Sequence, residues 1–348
     1  MELADLAAQI TSKSTIFIST ADLERLLGAI KKTHNLWEIV DYSDFPVPAV
    51  FEAIRLLESG DFVSLTDSSV SLTEKGMELA KGVKPAEDLA CPDCEGRGLD
   101  QNFFSDVRDR FLDIQKQRPA AVHRYDQGYV TPASTYSRFL IGYERGDIAG
   151  KDILILGDDD LISVVLGLSG LPKSITVVEI DTRLTDFIKT TGEREGFRVN
   201  VEEVDLRYPL SQDHRNSYDT FFTDPPETLV AADAFIGRGI LALRSPGSAG
   251  YFGFTRREAS LSKWYNLQRM LHQYGVVITD IIHNFNEYVN WDYEEETKAW
   301  EMAPIKVRPE KNWYRSALYR IETLEGFTGN TSVYADQNIH EDAESSTT

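Results

Sequence analysis

Cysteine is almost missing from this sequence: 348 residues contain two, Cys91 and Cys94. Two thiols cannot build the disulfide framework of a small secreted domain. No run of eighteen apolar residues occurs, so no membrane-spanning helix and no membrane partner are expected. The opening MELADLAAQI lacks the basic start and apolar stretch of a secretory leader, and a cytoplasmic protein is expected. Positive charge is also scarce. Lys plus Arg number 36 against 56 Asp plus Glu, a formal net charge of −20. A chain this acidic is a poor partner for nucleic-acid phosphates and a good one for a polycation. What remains is ordinary globular composition, 42% hydrophobic, long enough for two domains with cores of their own.

Residues 1–88 read as a winged-helix-like domain. TADLERLLGAIKKT and PVPAVFEAIRLLESGDFV carry apolar residues at helical spacing, the first with Thr20 as cap. FVSLTDSSVSLTEKG then reads as strand, turn and strand, turning at Asp67-Ser68-Ser69. Such modules often place a helix in the DNA major groove, but Glu52, Arg55 and Glu58 give this helix a poor charge for it. Packing, dimerisation or substrate closure is the favoured use. Residues 89–125 form a linker and connecting helix. Cys91-Pro-Asp-Cys94 has the shape of half a zinc site, yet no second CxxC or suitably spaced His pair completes four ligands. No bound metal is expected. Reduced thiols, a local disulfide and a site shared across a dimer all stay open.

From Asp152 the pattern changes. DILILG, SITVVEI, RVNVEEVD, YDTFFTD and AGYFGFT are short apolar strand candidates separated by helical segments, which indicates an α/β doubly wound parallel sheet covered on both faces. VVITDIIHNFNEY and YRSALYRIETL are expected at its edge. Residues 126–327 make up this catalytic domain, and the acidic tail 328–348 is expected to be disordered.

Ligands of such sheets bind at the carboxyl ends of the strands. Gly157 ends the first strand and permits a sharp turn. A phosphate-binding loop would continue with glycines; here Asp158, Asp159 and Asp160 follow. Three carboxylates repel a pyrophosphate, which disfavours NAD, FAD and ATP, and attract an amine or a metal. One Asp suffices to cap a helix; three exceed that need. Glu179 and Asp181, ending the second strand, are placed for a ribose diol, and Asp205, ending the third, for an adenine amino group. Together they suggest an adenosyl ligand without phosphate. Asp224 ends the fourth strand before two prolines that stiffen the turn, with Glu227 three residues on. Two irregular segments add aromatic and polar groups: Tyr125, Asp126, Gln127 and Tyr129 before the sheet, and Tyr288, Trp291, Asp292 and Tyr293 after its fifth strand. Aromatics beside carboxylates make good walls for alkylammonium chains.

The order GDDDLIS, VVEID, VDLR and TDPPET, behind a CPxCxGRG linker and a winged-helix-like start, resembles the branched-chain polyamine synthases, the N4-bis(aminopropyl)spermidine synthases. The resemblance spans residues 1 to about 327. It implies a class I methyltransferase-like fold, aminopropyl transfer from decarboxylated S-adenosylmethionine as co-substrate with no further cofactor, spermidine as acceptor, and a homodimer. It also implies that an Asp of the GDDD turn assists the amine, and the middle one, Asp159, is the expected base. An S-adenosylmethionine-dependent amino-methyltransferase acting on nucleic acid or protein is the alternative, through TDPPET. A DNA-binding regulator sensing an adenosyl ligand is a third reading.

Overall fold

The computed structural model describes residues 2–348. Its N-terminal part is helical: α1 (Leu3–Ser14), α2 (Thr20–Lys32), α3 (Leu36–Ser43) and α4 (Val47–Ser59). A two-stranded antiparallel sheet of β1 (Val63–Leu65) and β2 (Val70–Leu72) follows, then α5 (Glu74–Leu79). The cap of α2 is Ser19 rather than Thr20. Its side chain accepts from the Asp22 backbone N–H, and the Asp22 carboxylate accepts from the Ser19 N–H, so a reciprocal capping box decides the start.

Two helices, α6 (Ser105–Ile114) and α7 (Pro132–Glu144), lead into the sheet domain. There the order is β3 (Asp152–Leu156), α8 (Ile162–Ser169), β4 (Ser174–Glu179), α9 (Thr182–Glu195), β5 (Asn200–Glu203), β6 (Thr220–Thr223), α10 (Leu229–Ala242), β7 (Ala249–Phe254) and α11 (Leu261–Gln273), strands and helices alternating except between β5 and β6, which no α-helix separates. The chain ends its regular structure with β8 (Val276–Glu287), the short α12 (Lys298–Met302) and β9 (Arg315–Thr323). The seven strands are ordered β5-β4-β3-β6-β7-β9-β8. All neighbours from β5 to β7 are parallel, whereas β9 runs antiparallel between β7 and β8. This is the class I methyltransferase-like arrangement. Of the two segments expected at the edge, β8 lies there and β9 is interior.

Period-two alternation feeds two cores. Ile153 and Ile155 of β3 join Val177 and the α6–α9 side; Leu154 and Leu156 join Val178, Phe221 and the α10–α11 side. Five consecutive buried residues in β3 follow from cover on both faces. The strand order reverses between β3 and β6. Their carboxyl ends, at Gly157 and Asp224, therefore flank the crevice where an open α/β sheet accepts ligands.

Two features depart from the sequence reading. The N-terminal helices share one core with chain far downstream: Trp37 lies 4.7 Å from Trp313, ring centre to ring centre, with Trp291 and Tyr314 in the same cluster. The tail expected to be disordered is packed along the catalytic domain. Glu344 accepts from the Ser260 N–H and hydroxyl at the start of α11, Lys263 donates to Asp342 at 2.9 Å, and the Ser346 and Thr347 N–H groups donate to Glu258 at 2.6 and 2.7 Å. Tyr334 and Ile339 are buried against Ala231 and Ala234. Acidic composition marks a segment unable to build its own core, but this one borrows cationic and N–H partners from the domain.

Candidate active site

The site begins with a glycine. Gly157 has φ +72°, a left-handed conformation open to glycine without strain, and turns the chain off β3 into the three aspartates. Each of the three then faces different surroundings. Asp158 is buried, donates its backbone N–H to Glu179 at 2.9 Å, and turns its carboxylate onto the Ser163 N–H at 3.3 Å, inside the first turn of α8. Asp160 is buried too; it accepts from the Val130 N–H at 2.7 Å and forms an ion pair with Arg138. Asp159 reaches the crevice. Its carboxylate has no hydrogen-bond partner among the described residues, while its backbone carbonyl accepts from Arg118 at 3.0 Å. Burial, and then the charges of Asp160, Glu179 and Asp224, hold the Asp159 carboxyl well above the usual carboxylate range.

Arg138 ties this turn to the strand opposite. From α7 it pairs with Asp160, donates to Asp224 at 2.7 Å and donates to Asn286 at 2.8 Å. Asp224 also accepts from the Tyr288 hydroxyl at 2.8 Å on the same oxygen. The other oxygen lies against Gly253 of β7, where a Cβ would come within 2.1 Å of it. Gly253 therefore makes the room in which the Asp224 carboxylate sits. Burial opposes the Arg138 charge, but the Asp224 and Asp160 carboxylates more than offset it and raise its pKa. Arg138 was not singled out from sequence; the available signal was a lone Arg within the apolar helix STYSRFLIGY.

Two recesses meet at Asp159. The larger, about 300 Å³, runs along the ends of β3, β4 and β5. Val178, Ile180, Val204, Leu206, Pro226, Phe235 and Ile339 give it apolar walls, and Glu179, Asp205, Tyr125, Asp126 and Gln127 stand at its polar positions. Such a slot suits a planar base with a hydroxylated sugar. Asp205 is held by both nitrogens of the Arg207 fork at 3.0 and 2.7 Å. Burial acts to raise its pKa, but Arg207 prevails and lowers it, so a charged acceptor is kept beside the slot. Glu179 faces the slot while accepting from the Asp158, Ile180 and Asp181 N–H groups at 2.8–2.9 Å.

The smaller recess adjoins the first through Asp126, Asp159, Asp224 and Pro226. It holds Glu227, Tyr288, Trp291 and Tyr314. Burial, with the neighbouring charges of Glu258 and other acids, pushes Asp126 and Glu227 well above their ordinary values. A space that raises carboxyl pKa values in this way is one that would gain from a bound cation. Tyr314 and Glu258 were not read from sequence, because only tertiary packing brings them here.

Six of the expected site residues line neither recess: Asp158 and Asp160, held by Ser163, Val130 and Arg138, and Tyr129, Asp292, Asp181 and Tyr293. Asp181 is 1% exposed and caps α9; it accepts from the Arg183 backbone and side chain at 3.0 Å and from Gln127 at 2.9 Å. It is corrected from ribose ligand to holder of Gln127. Tyr293 donates its hydroxyl to the Gln127 carbonyl at 2.7 Å, beside the Trp291 N–H at 3.1 Å. It buttresses the segment from behind instead of walling the site. Cys91 and Cys94 are free thiols, and no group of three His, Cys, Asp or Glu side chains suited to a metal gathers among the described residues. No helix among those residues is long and apolar enough to cross a membrane.

Residues 106–347 match the branched-chain polyamine synthase A C-terminal domain. The chain is similar to N(4)-bis(aminopropyl)spermidine synthase of Thermococcus kodakarensis, at 46% identity over 99% of this chain and all of that one. It is similar to the enzyme of the same name from Methanocaldococcus jannaschii, at 48% identity over 98% of both. Among solved structures it resembles the branched-chain polyamine synthase of Thermus thermophilus in complex with N4-aminopropylspermidine and 5′-methylthioadenosine. That match has a TM-score of 0.94 and 38% identity, covering 99% of this chain and 98% of the other. By sequence over nearly its whole length, and by fold, the chain belongs to the branched-chain polyamine synthase family.

Proposed function

We propose that this chain transfers aminopropyl groups from decarboxylated S-adenosylmethionine to the internal secondary amine of spermidine, giving N4-aminopropylspermidine, then N4-bis(aminopropyl)spermidine, with methylthioadenosine released. The observation that carries the reading is the unpartnered Asp159 carboxylate at the junction of an adenosyl-shaped slot and an acidic, aromatic recess. Donor and acceptor are both cations, and an acidic cavity is what lets two cations meet. The slot holds the adenosyl group, with Asp205 toward the base amino group and Glu179 toward the ribose. The acceptor lies in the recess among Asp126, Asp224 and Glu227.

An alkylamine is protonated at neutral pH and cannot attack until it loses that proton. Asp159, its carboxyl raised toward a useful range, takes it. The nitrogen lone pair then attacks the methylene bound to sulfur. The carbon–sulfur bond breaks, its electron pair returns to sulfur, and neutral methylthioadenosine leaves. Alignment of the two substrates across Asp159 supplies much of the acceleration. Asp158 and Asp160 act behind it: one closes the α8 turn, the other anchors Arg138. The donor is consumed as a co-substrate, and no resident metal or cofactor is assigned to any step.

The test is donor choice. Incubated with spermidine, the protein will consume decarboxylated S-adenosylmethionine and release methylthioadenosine, followed by chromatography and mass spectrometry. Turnover of intact S-adenosylmethionine to adenosylhomocysteine would favour the amino-methyltransferase instead. Asp205→Ala will weaken methylthioadenosine binding about 10- to 100-fold, the range expected for a lost charged hydrogen bond. Calorimetric titration checks it, with spermidine binding as the control that stays within about threefold.

A further inference from the structure

Resting on the reading above, we propose that Tyr288, Trp291 and Tyr314 form an aromatic box that holds the quaternary nitrogen created by the second transfer, and so set how many aminopropyl groups are added. The three rings wall the same recess. Tyr288 and Tyr314 are 5.1 Å apart and 83° to each other; Trp291 and Tyr314 are 5.4 Å apart and 77° to each other. Rings at near-right angles are not stacked on one another, and three rings lining one recess can stand as its adjacent walls. Their orientations are fixed: Tyr288 donates to Asp224 at 2.8 Å, Trp291 donates to the Gln127 carbonyl at 3.1 Å, and Tyr314 is buried in the N-terminal core cluster.

The chemistry of the two transfers differs at the nitrogen. After the first, the product is a protonated tertiary amine; once Asp159 has released to solvent the proton it took, the one N–H of that amine can bond a carboxylate and pass its proton to Asp159. The freed lone pair then attacks a second donor, the carbon–sulfur bond breaks toward sulfur, and the nitrogen carries four carbons. No N–H remains, so the carboxylates lose their hydrogen bond and no base can discharge the nitrogen. A permanent, weakly hydrated cation is what aromatic faces stabilise, through the ring quadrupole. Carboxylates alone serve the first transfer, whereas the rings are required for the second.

The experiment reads the ratio of doubly to singly substituted product, not total turnover. Tyr314→Leu and Trp291→Leu should each lower that ratio at least tenfold, while Tyr314→Phe, which keeps the ring, should leave it within about twofold. An unchanged ratio in both Leu variants overturns the proposal. So does wild-type protein that makes only the singly substituted product. Absence of any aminopropyl transfer by the wild type would instead fail the underlying functional reading. A binding measurement on the wild type guards against variants that do not fold. Choline, a quaternary ammonium, should compete with the acceptor at least as well as protonated N,N-dimethylethanolamine. Clear preference for the protonated amine would show a carboxylate site without an aromatic box, and would overturn the proposal.

Discussion

Asp159→Asn will lower kcat by about 10²- to 10⁴-fold, the usual contribution of a positioned base, and leave methylthioadenosine affinity near the wild-type value. The substitution keeps size and shape, and among the described residues none donates to the parent carboxylate a hydrogen bond whose loss would disturb the fold. Its neighbours should not substitute for it, since Asp158 and Asp160 are committed to Ser163 and to Val130 and Arg138. A pH signature accompanies the rate. The Asp159 carboxyl is raised by burial and by like charges, so its basic form exists only above that raised value. Wild-type kcat will therefore fall as pH drops through a range above the ordinary carboxylate pKa of about 3.9. In Asp159→Asn that limb will be missing. Steady-state kinetics across pH, with calorimetric binding of methylthioadenosine, separates the loss of a base from a loss of structure. Retention of the limb in the variant would assign the base elsewhere.

Arg138→Leu will destabilise the protein by about 3–5 kcal/mol, the cost of leaving buried carboxylates without their cation. Asp160 and Asp224 both rest on this one guanidinium, which is 5% exposed. The sign of its pH dependence follows from that loss. With Arg138 gone, Asp224, which burial already raises, loses the charge that acts to lower its pKa, so its folded-state value lies above its unfolded one. The folded state then binds more protons than the unfolded one between those two values, and stability rises as pH falls through that window. Urea denaturation should show the variant recovering part of its deficit as pH falls toward the ordinary carboxylate range. Arg138→Lys keeps a charge but not the fork that spans two carboxylates, and should fall between the two. A deficit below about 1 kcal/mol at every pH would mean that the ion triad is not what holds the crevice together.

Much of this arrangement was legible in sequence because it is local. Strand apolarity placed β3 to β7, and Gly157 with its three aspartates marked the crevice before any coordinates. The resemblance gave the fold family and singled out Asp159. What stayed hidden depends on long-range packing. Arg138 sits 22 residues from Asp160 and 86 from Asp224, and nothing near it in sequence shows that all three converge. Tyr314 reaches the recess only because β9 inserts between β7 and β8. Asp181 and Tyr293 have the right residue types at plausible positions, yet turn to the Gln127 segment, where a cap and a carbonyl claim them. The tail shows the same limit: its composition reads as disorder, and its partners Ser260, Lys263 and Glu258 lie 84, 79 and 88 residues upstream.

The most direct test is a crystal structure with methylthioadenosine and spermidine bound together. The internal nitrogen of spermidine should lie about 2.6–3.2 Å from the Asp159 carboxylate, the reach of a proton-accepting base, and face the sulfur of the nucleoside. An internal nitrogen lodged away from Asp159, with that carboxylate turned to open solvent, would contradict the account at its centre.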